Sequence, residues 1–170
     1  YSDPDRIVRV LEKPGPDGRN GISTLNYLDW ETQNTVFEFM SATTGASLTL
    51  TGVDEPMQLR ASRVRAHYFD IFGLKAGLGR TFVSGEDEVG NDHVAVLSHA
   101  FWKIQFGADP GVIGRTLVRN GTAFTVIGVA PRDFAGLLIG MEPDFWAPLA
   151  TQEIFTRDKT RSTDRNGIWL

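Results

Sequence analysis

Asn120-Gly121 stands between two runs of alternating apolar and polar residues, Arg115–Asn120 and Ala123–Val129. An Asn-Gly pair supplies the positive φ angles of a two-residue type I′ turn, so these runs are predicted to fold back on each other as an antiparallel hairpin. No other stretch constrains the fold as tightly. Just upstream, Val94-Ala95-Val96-Leu97 reads as a short apolar strand. Ser98 then caps a helix through Phe106, which Gly107 terminates before the Asp109-Pro110 turn. Phe101, Trp102, Ile104 and Phe106 make that helix apolar nearly all round, which predicts burial between layers.

Weaker signals fill in the rest. Arg6–Leu11 alternates charged and apolar residues and is predicted as a strand, broken by Pro14-Gly15-Pro16-Asp17-Gly18. Ser23 caps a predicted helix near 24–34 whose Leu25, Tyr27, Leu28 and Glu31 recur at helical spacing. Ser47–Thr51 and Gln58–Val64 read as paired strands, and Ala66–Phe72 as a short helix ended by Gly73. Residues 79–82 and 84–88 are loop-like. Phe145–Leu149 is predicted as a strand whose proline marks a sheet edge, and Arg157–Asn166 as a charged connector. Together these signals make the fold class α+β, mixed sheets with short helices.

Composition excludes several functions. With 17 basic and 21 acidic side chains the chain carries net charge −4 and lacks the broad positive field that draws nucleic acid. It has no cysteine, so disulfides, thiolate catalysis and Cys-ligated metals are out. The longest uncharged apolar run, Phe134–Met141, is far short of the ~20 residues of a membrane-spanning helix. The chain starts at Tyr1, without a leader, and Ile168-Trp169-Leu170 resembles a strand just beginning. Both features suggest a segment of something longer.

The chemistry of known active sites is missing from the pattern. His67, His93 and His99 lack zinc-peptidase spacing. No Gly-x-Ser-x-Gly elbow or phosphate-binding loop occurs, and Gly77-x-Gly79 does not continue as a dinucleotide fingerprint. No catalytic residue, cofactor or metal site is therefore expected. Glu86-Asp87-Glu88 offers oxygen ligands that permit calcium but reads as a solvated loop. Arg60, Arg63 and Arg65 cluster on one extended stretch, with Arg63 and Arg65 on a shared face, and pairing with the surplus carboxylates is the expected use.

Several short motifs fall in an ordered series. Tyr27-x-Asp29-Trp30-x-x-Gln33-Asn34-x-x-Phe37 is followed by Tyr68-Phe69-x-x-Phe72-Gly73 and by Gly79-Arg80-Thr81-Phe82 with Glu86-Asp87. Val94–Ser98, Trp102, Phe106-Gly107, Gly114–Leu117 and Phe124–Val129 come next, before Pro131 and Phe134. The series resembles the MacB-type periplasmic core domain of ABC-transporter permeases, in the version carried by the large duplicated permeases of acidobacteria. That resemblance implies an extracytoplasmic domain between two transmembrane helices of an inner-membrane permease, with a periplasmic location. It implies as partners the permease transmembrane helices in the same parent chain, a separate cytoplasmic ATPase, a second permease lobe or subunit, and a periplasmic adaptor. It also implies a porter-like βαβ lobe with a smaller inserted sabre-like lobe. Residues 1–84 would begin the porter-like lobe, 85–150 would be the insertion, and 151–170 a connector returning to the porter-like lobe. An independent solute- or protein-binding module and an unrecognised hydrolase remain as alternatives. The family's domain carries no catalytic residues.

One segment is a candidate binding element. Phe134, Leu137, Leu138, Ile139 and Met141 are interspersed with Gly136 and Gly140. The stretch either covers an open end of the core or forms a mobile apolar loop that meets a partner.

Overall fold

The protein is described from a computed structural model covering residues 4–13, 20–50, 57–119, 122–137, 142–155, 164 and 170. Seven strands pair in one mixed sheet: β1 (Thr43–Leu50), β2 (Met57–Val64), β3 (Leu78–Gly79), β4 (Val94–Leu97), β5 (Thr116–Arg119), β6 (Thr122–Val129) and β7 (Phe145–Pro148). Four short α-helices accompany them among the described residues: α1 (Thr24–Gln33), α2 (Tyr68–Ile71), α3 (His99–Phe106) and α4 (Gln152–Phe155). The architecture is α+β, as the sequence predicts.

The predicted hairpin forms. β5 and β6 run antiparallel with Arg119 opposite Thr122, a spacing that leaves two residues to connect them. Those residues, Asn120 and Gly121, lie outside the described ones, as do 51–56 between β1 and β2 and most of the Arg157–Asn166 connector. β1 and β2 pair without interruption from Thr43 opposite Val64 to Leu50 opposite Met57. The sheet order is β1-β2-β7-β4-β6-β3, and β5 shares the outer side of β6 with β3. The sheet therefore draws strands from both sides of residue 84.

The helices begin and end where their caps stand. Ser23 accepts a hydrogen bond from the Asn26 N–H at the start of α1, and Ser98 does the same from Phe101 at the start of α3. Gly107 ends α3 in the left-handed region at φ 59°, a conformation that penalises any side chain.

Both faces of the sheet are covered. On one face Leu59, Ala61, Leu97, Phe124, Val126, Phe145 and Ala147 pack with Phe101 of α3 and Phe155 of α4. On the other, Val64, Val96, Ile127 and Trp146 meet Tyr68, Phe69, Phe72, Phe82 and Phe134. β6 serves both faces by alternation, and a bulge shifts which residues reach each. Ala95 pairs with Val126 but Val96 pairs with Gly128, and this extra residue resets the alternation so that Val126 and Val129 share a face. Gly128 lies opposite Gly79, and a Cβ on either would run into the other strand's backbone, at Arg80 and Ile127. The backbones approach this closely only because both residues are glycine.

Four expectations are corrected. Arg6–Leu11 is not a strand: residues 4–6 form a 3-10 turn and no strand among the described residues pairs with residues 7–11, so alternation there finds no ladder. β7 is not at an edge but lies between β2 and β4. Its Pro148 is accommodated at the strand's end, where β4, which pairs only with Phe145 and Trp146, no longer runs alongside. α3 is not buried all round, since Ile104 is 75% exposed and Phe101 is its one buried residue. Residues 79–82 are not all loop, because Leu78 and Gly79 pair with Val129 and Gly128.

Candidate functional site

No helix among the described residues is long and apolar enough to cross a membrane, and no three His, Asp or Glu side chains there converge as a metal site. The densest convergence of charge is at the end of β2. Arg65 Nη2 donates to Glu31 Oε2 of α1 at 2.8 Å, and its Nη1 lies 2.9 Å from Asp87 Oδ2. The guanidinium also stands 5.9 Å from the centre of the Tyr27 ring, whose hydroxyl donates to Glu31 Oε1 at 2.7 Å. Burial, then the hydrogen bond to Glu31, pushes the Tyr27 hydroxyl far above its usual pKa. Burial works against the Arg65 charge, but Asp87 and Glu31 outweigh it and hold the guanidinium above its ordinary value.

The backbone of Arg65 is equally engaged. Its N–H donates to Ala42 just before β1, and its carbonyl accepts the N–H of Tyr68 at the start of α2. Asp87 also accepts the Ala66 N–H at 3.3 Å. One residue thus meets α1, the approach to β1, the start of α2 and the 85–88 loop.

A second ion pair shapes that loop. Arg80 Nη1 and Nη2 donate to the two carboxylate oxygens of Glu86 at 2.8 and 2.6 Å, and Glu86 Oε2 accepts the Val83 N–H at 3.0 Å. Burial alone would raise the Glu86 carboxyl, yet these hydrogen bonds hold it below the ordinary carboxylate range. The expectation of a solvated acidic loop is corrected for Glu86 and Asp87: each grips an arginine, and the Asp87 side chain is only 9% exposed. A bidentate Arg–carboxylate pair fixes geometry as well as charge.

Of the three arginines singled out in the sequence, Arg65 pairs with carboxylates as expected. Arg63 is 1% exposed with its guanidinium over the Phe155 ring, and Arg60 is exposed. The histidines sit at the surface or at helix ends: His67 beside Asp70, His93 beside Asp92, and His99 at the start of α3.

The Phe134–Met141 segment divides. Phe134 is buried, stacked on Trp146 with ring centres 5.4 Å apart and in contact with Tyr68, Phe69 and Phe72. Leu137 is 48% exposed, and Leu138, Ile139 and Met141 lie outside the described residues. Sequence reasoning missed the Glu31–Arg65–Asp87 cluster because its members are 34 and 22 positions apart and no local motif marks them. A surplus of carboxylates near an arginine run was the available signal.

Residues 1–169 match the family described as MacB-like periplasmic core domain. The chain is similar to the periplasmic region of MacB from Actinobacillus actinomycetemcomitans at 20% identity and a TM-score of 0.64, covering 84% of this chain and 62% of that one. It is similar to the extracellular domain of the noncanonic ABC-type transporter YknZ from Gram-positive bacteria at 17% identity and TM-score 0.61, covering 79% of this chain and 66% of that one. A domain of a putative permease protein from Porphyromonas gingivalis matches at 14% identity and TM-score 0.59, covering 89% of this chain and 59% of that one. No curated protein matches. The chain spans about three fifths to two thirds of the length of these solved structures, and at such identities the likeness is one of fold. The family match along nearly the entire sequence carries the assignment: the chain belongs to the MacB-like periplasmic core domain family of ABC-transporter permeases.

Proposed function

We propose that this chain is the extracytoplasmic domain through which an ABC-transporter permease couples cytoplasmic ATP hydrolysis to periplasmic conformational change and export. The family match over residues 1–169 carries the reading. In it the domain catalyses nothing and acts by moving. A body packed on both faces of one sheet transmits displacement, because dense cores resist continuous deformation and interfaces between bodies switch between discrete packings. Its partners are the transmembrane helices of the parent chain, a separate cytoplasmic ATPase, a second permease lobe or subunit and a periplasmic adaptor, and its place is the periplasmic side of the inner membrane. In this reading residues 1–84 begin the porter-like lobe, 85–150 form the inserted sabre-like lobe and 151–170 return to the porter-like lobe, with one sheet running through the first two segments where β7 pairs with β2.

The test locks the motion. These 170 residues contain no cysteine, so introduced pairs report cleanly. A disulfide joining the two periplasmic domains of the assembled permease should abolish transport-coupled ATPase activity and release it again on reduction. Unchanged coupling in the locked state contradicts the reading.

A second reading, an independent extracytoplasmic solute- or protein-binding module, draws on one observation. Asn34 folds residues 34–37 into a tight turn by accepting the Val36 and Phe37 N–H groups and donating to the Phe37 carbonyl. That turn presents Val36 at 82% exposure, with Phe37 and Phe39 partly open beside it.

A further inference from the structure

We infer that Arg65 is the joint that fixes α1 at one angle to the sheet, so that the two move as one body; this rests on the coupling role proposed above. α1 does not belong to either sheet-face cluster. Its buried Tyr27 packs in a third, small cluster with Ile22, Ala42 and Leu149, against which Leu28, Trp30 and Leu170 lie. Apolar contact of this kind is non-directional and by itself specifies a helix's angle less sharply than paired hydrogen bonds do. The Arg65 fork has the opposite character. Its two terminal nitrogens point to carboxylates from different elements, Glu31 of α1 and Asp87 of the 85–88 loop, at 2.8 and 2.9 Å. Its own backbone is held by Ala42 and Tyr68.

The partner on the helix is braced in turn. Glu31 uses one oxygen for Arg65 and the other for the Tyr27 hydroxyl one helical turn back, so its carboxylate cannot swing without breaking a second hydrogen bond. A planar guanidinium bonded on two sides specifies orientation in a way a lysine point charge does not. The partly exposed side chains, 22% for Arg65 and 28% for Glu31, keep the pair's contribution to stability modest. Its role is therefore positioning.

The experiment uses the full-length permease with its ATPase, cysteines outside these residues replaced, and spin labels at Thr32→Cys on α1 and Lys103→Cys on α3, both exposed. Pulsed electron resonance reads the distance distribution within one domain with and without trapped ATP. The unmodified site should give one narrow distribution in both states. Glu31→Gln and Arg65→Met should each broaden it about twofold, whereas Asp87→Asn, which frees the loop side of the fork and leaves its bond to Glu31, should broaden it clearly less. A narrow distribution in Glu31→Gln overturns the inference, and so does equal broadening in Asp87→Asn, which would signal general loosening. The coupling role is read separately, from Lys103→Cys labels in two copies of the domain. If that distance ignores nucleotide while Glu31→Gln still broadens the Thr32–Lys103 distribution, the coupling role fails and the joint stands.

Discussion

The aromatic face of the sheet and the charged end of β2 hold the molecule by different physics. Tyr68, Phe69, Phe72, Phe82, Phe134 and Trp146 gather rings from four separate stretches into one cluster, with Phe69 and Trp146 fully buried. Phe69 meets Trp146 edge to face at 5.4 Å, and Phe134 stacks on the same indole. Such a cluster contributes mainly through removed apolar area and close packing, with the edge-to-face and stacked ring pairs adding to it. At the charged end, Arg65 and Arg80 bond carboxylates in part-exposed positions, where the net stabilisation is small but the geometry is narrow. Stability is therefore expected to reside mainly in the packed rings and alignment mainly in the ion pairs. Substitutions on the aromatic face should unfold the domain, and substitutions at the charged end should leave it folded and misaligned.

The largest expected effect is Phe69→Ala, which removes a ring at the centre of the cluster. It should destabilise the domain by about 3–5 kcal/mol in denaturant unfolding. A loss no greater than that of a surface change would break the comparison at its stronger end.

Next is Gly128→Ala, where the aromatic face joins the Arg80–Glu86 loop. The added methyl would meet the Arg80 backbone, so the strands must part and a loss of about 1–3 kcal/mol is expected. A parallel change at Gly45, where a Cβ would meet nothing, should be nearly silent. Equal effects at the two glycines would show that the close approach is not what matters.

A pH series sharpens the charged side. The folded-state pKa of Glu86 is depressed, so its contribution to stability is present in full above the ordinary value of 4.5 and is lost as pH falls through the lower folded value. Glu86→Gln should therefore lower stability near neutral pH and flatten its decline on acidification, measured by denaturant midpoints across that range. An acid limb identical to that of the unmodified domain would remove Glu86 from the account.

The smallest effect belongs to Leu137→Ser. This side chain is half exposed, so its thermal midpoint should scarcely move, in contrast to its neighbour Phe134→Ala, which opens the aromatic cluster and should cost about as much as Phe69→Ala. A large loss at Leu137 would place it in the core and withdraw it as a partner-contact residue.

The two regions were also unequally legible in the sequence. Helix caps at Ser23 and Ser98, the left-handed stop at Gly107 and the β5–β6 hairpin arise from turn and cap chemistry that acts over two to four residues. The aromatic motifs could be seen as motifs, but not that Phe134 would join Tyr68, Phe69 and Phe72. What failed was long-range. Arg6–Leu11 carries a strand pattern and lacks a partner, while Phe145–Pro148 carries an edge signal and lies inside the sheet. Sheet order and the Arg65 fork depend on residues brought together from distant positions, a relation that a single sequence states only through the family it resembles.

In the proposed function the domain moves as one rigid body between positions set by nucleotide. That motion is tested most directly in the full-length permease by the distance between Lys103→Cys labels in two copies of the domain, trapped with ATP and free of nucleotide, beside the Thr32–Lys103 distance within one copy. The distance between copies should shift from one state to the other while the distance within a copy stays fixed. A fixed distance between copies, or a nucleotide-dependent change within one, would contradict it.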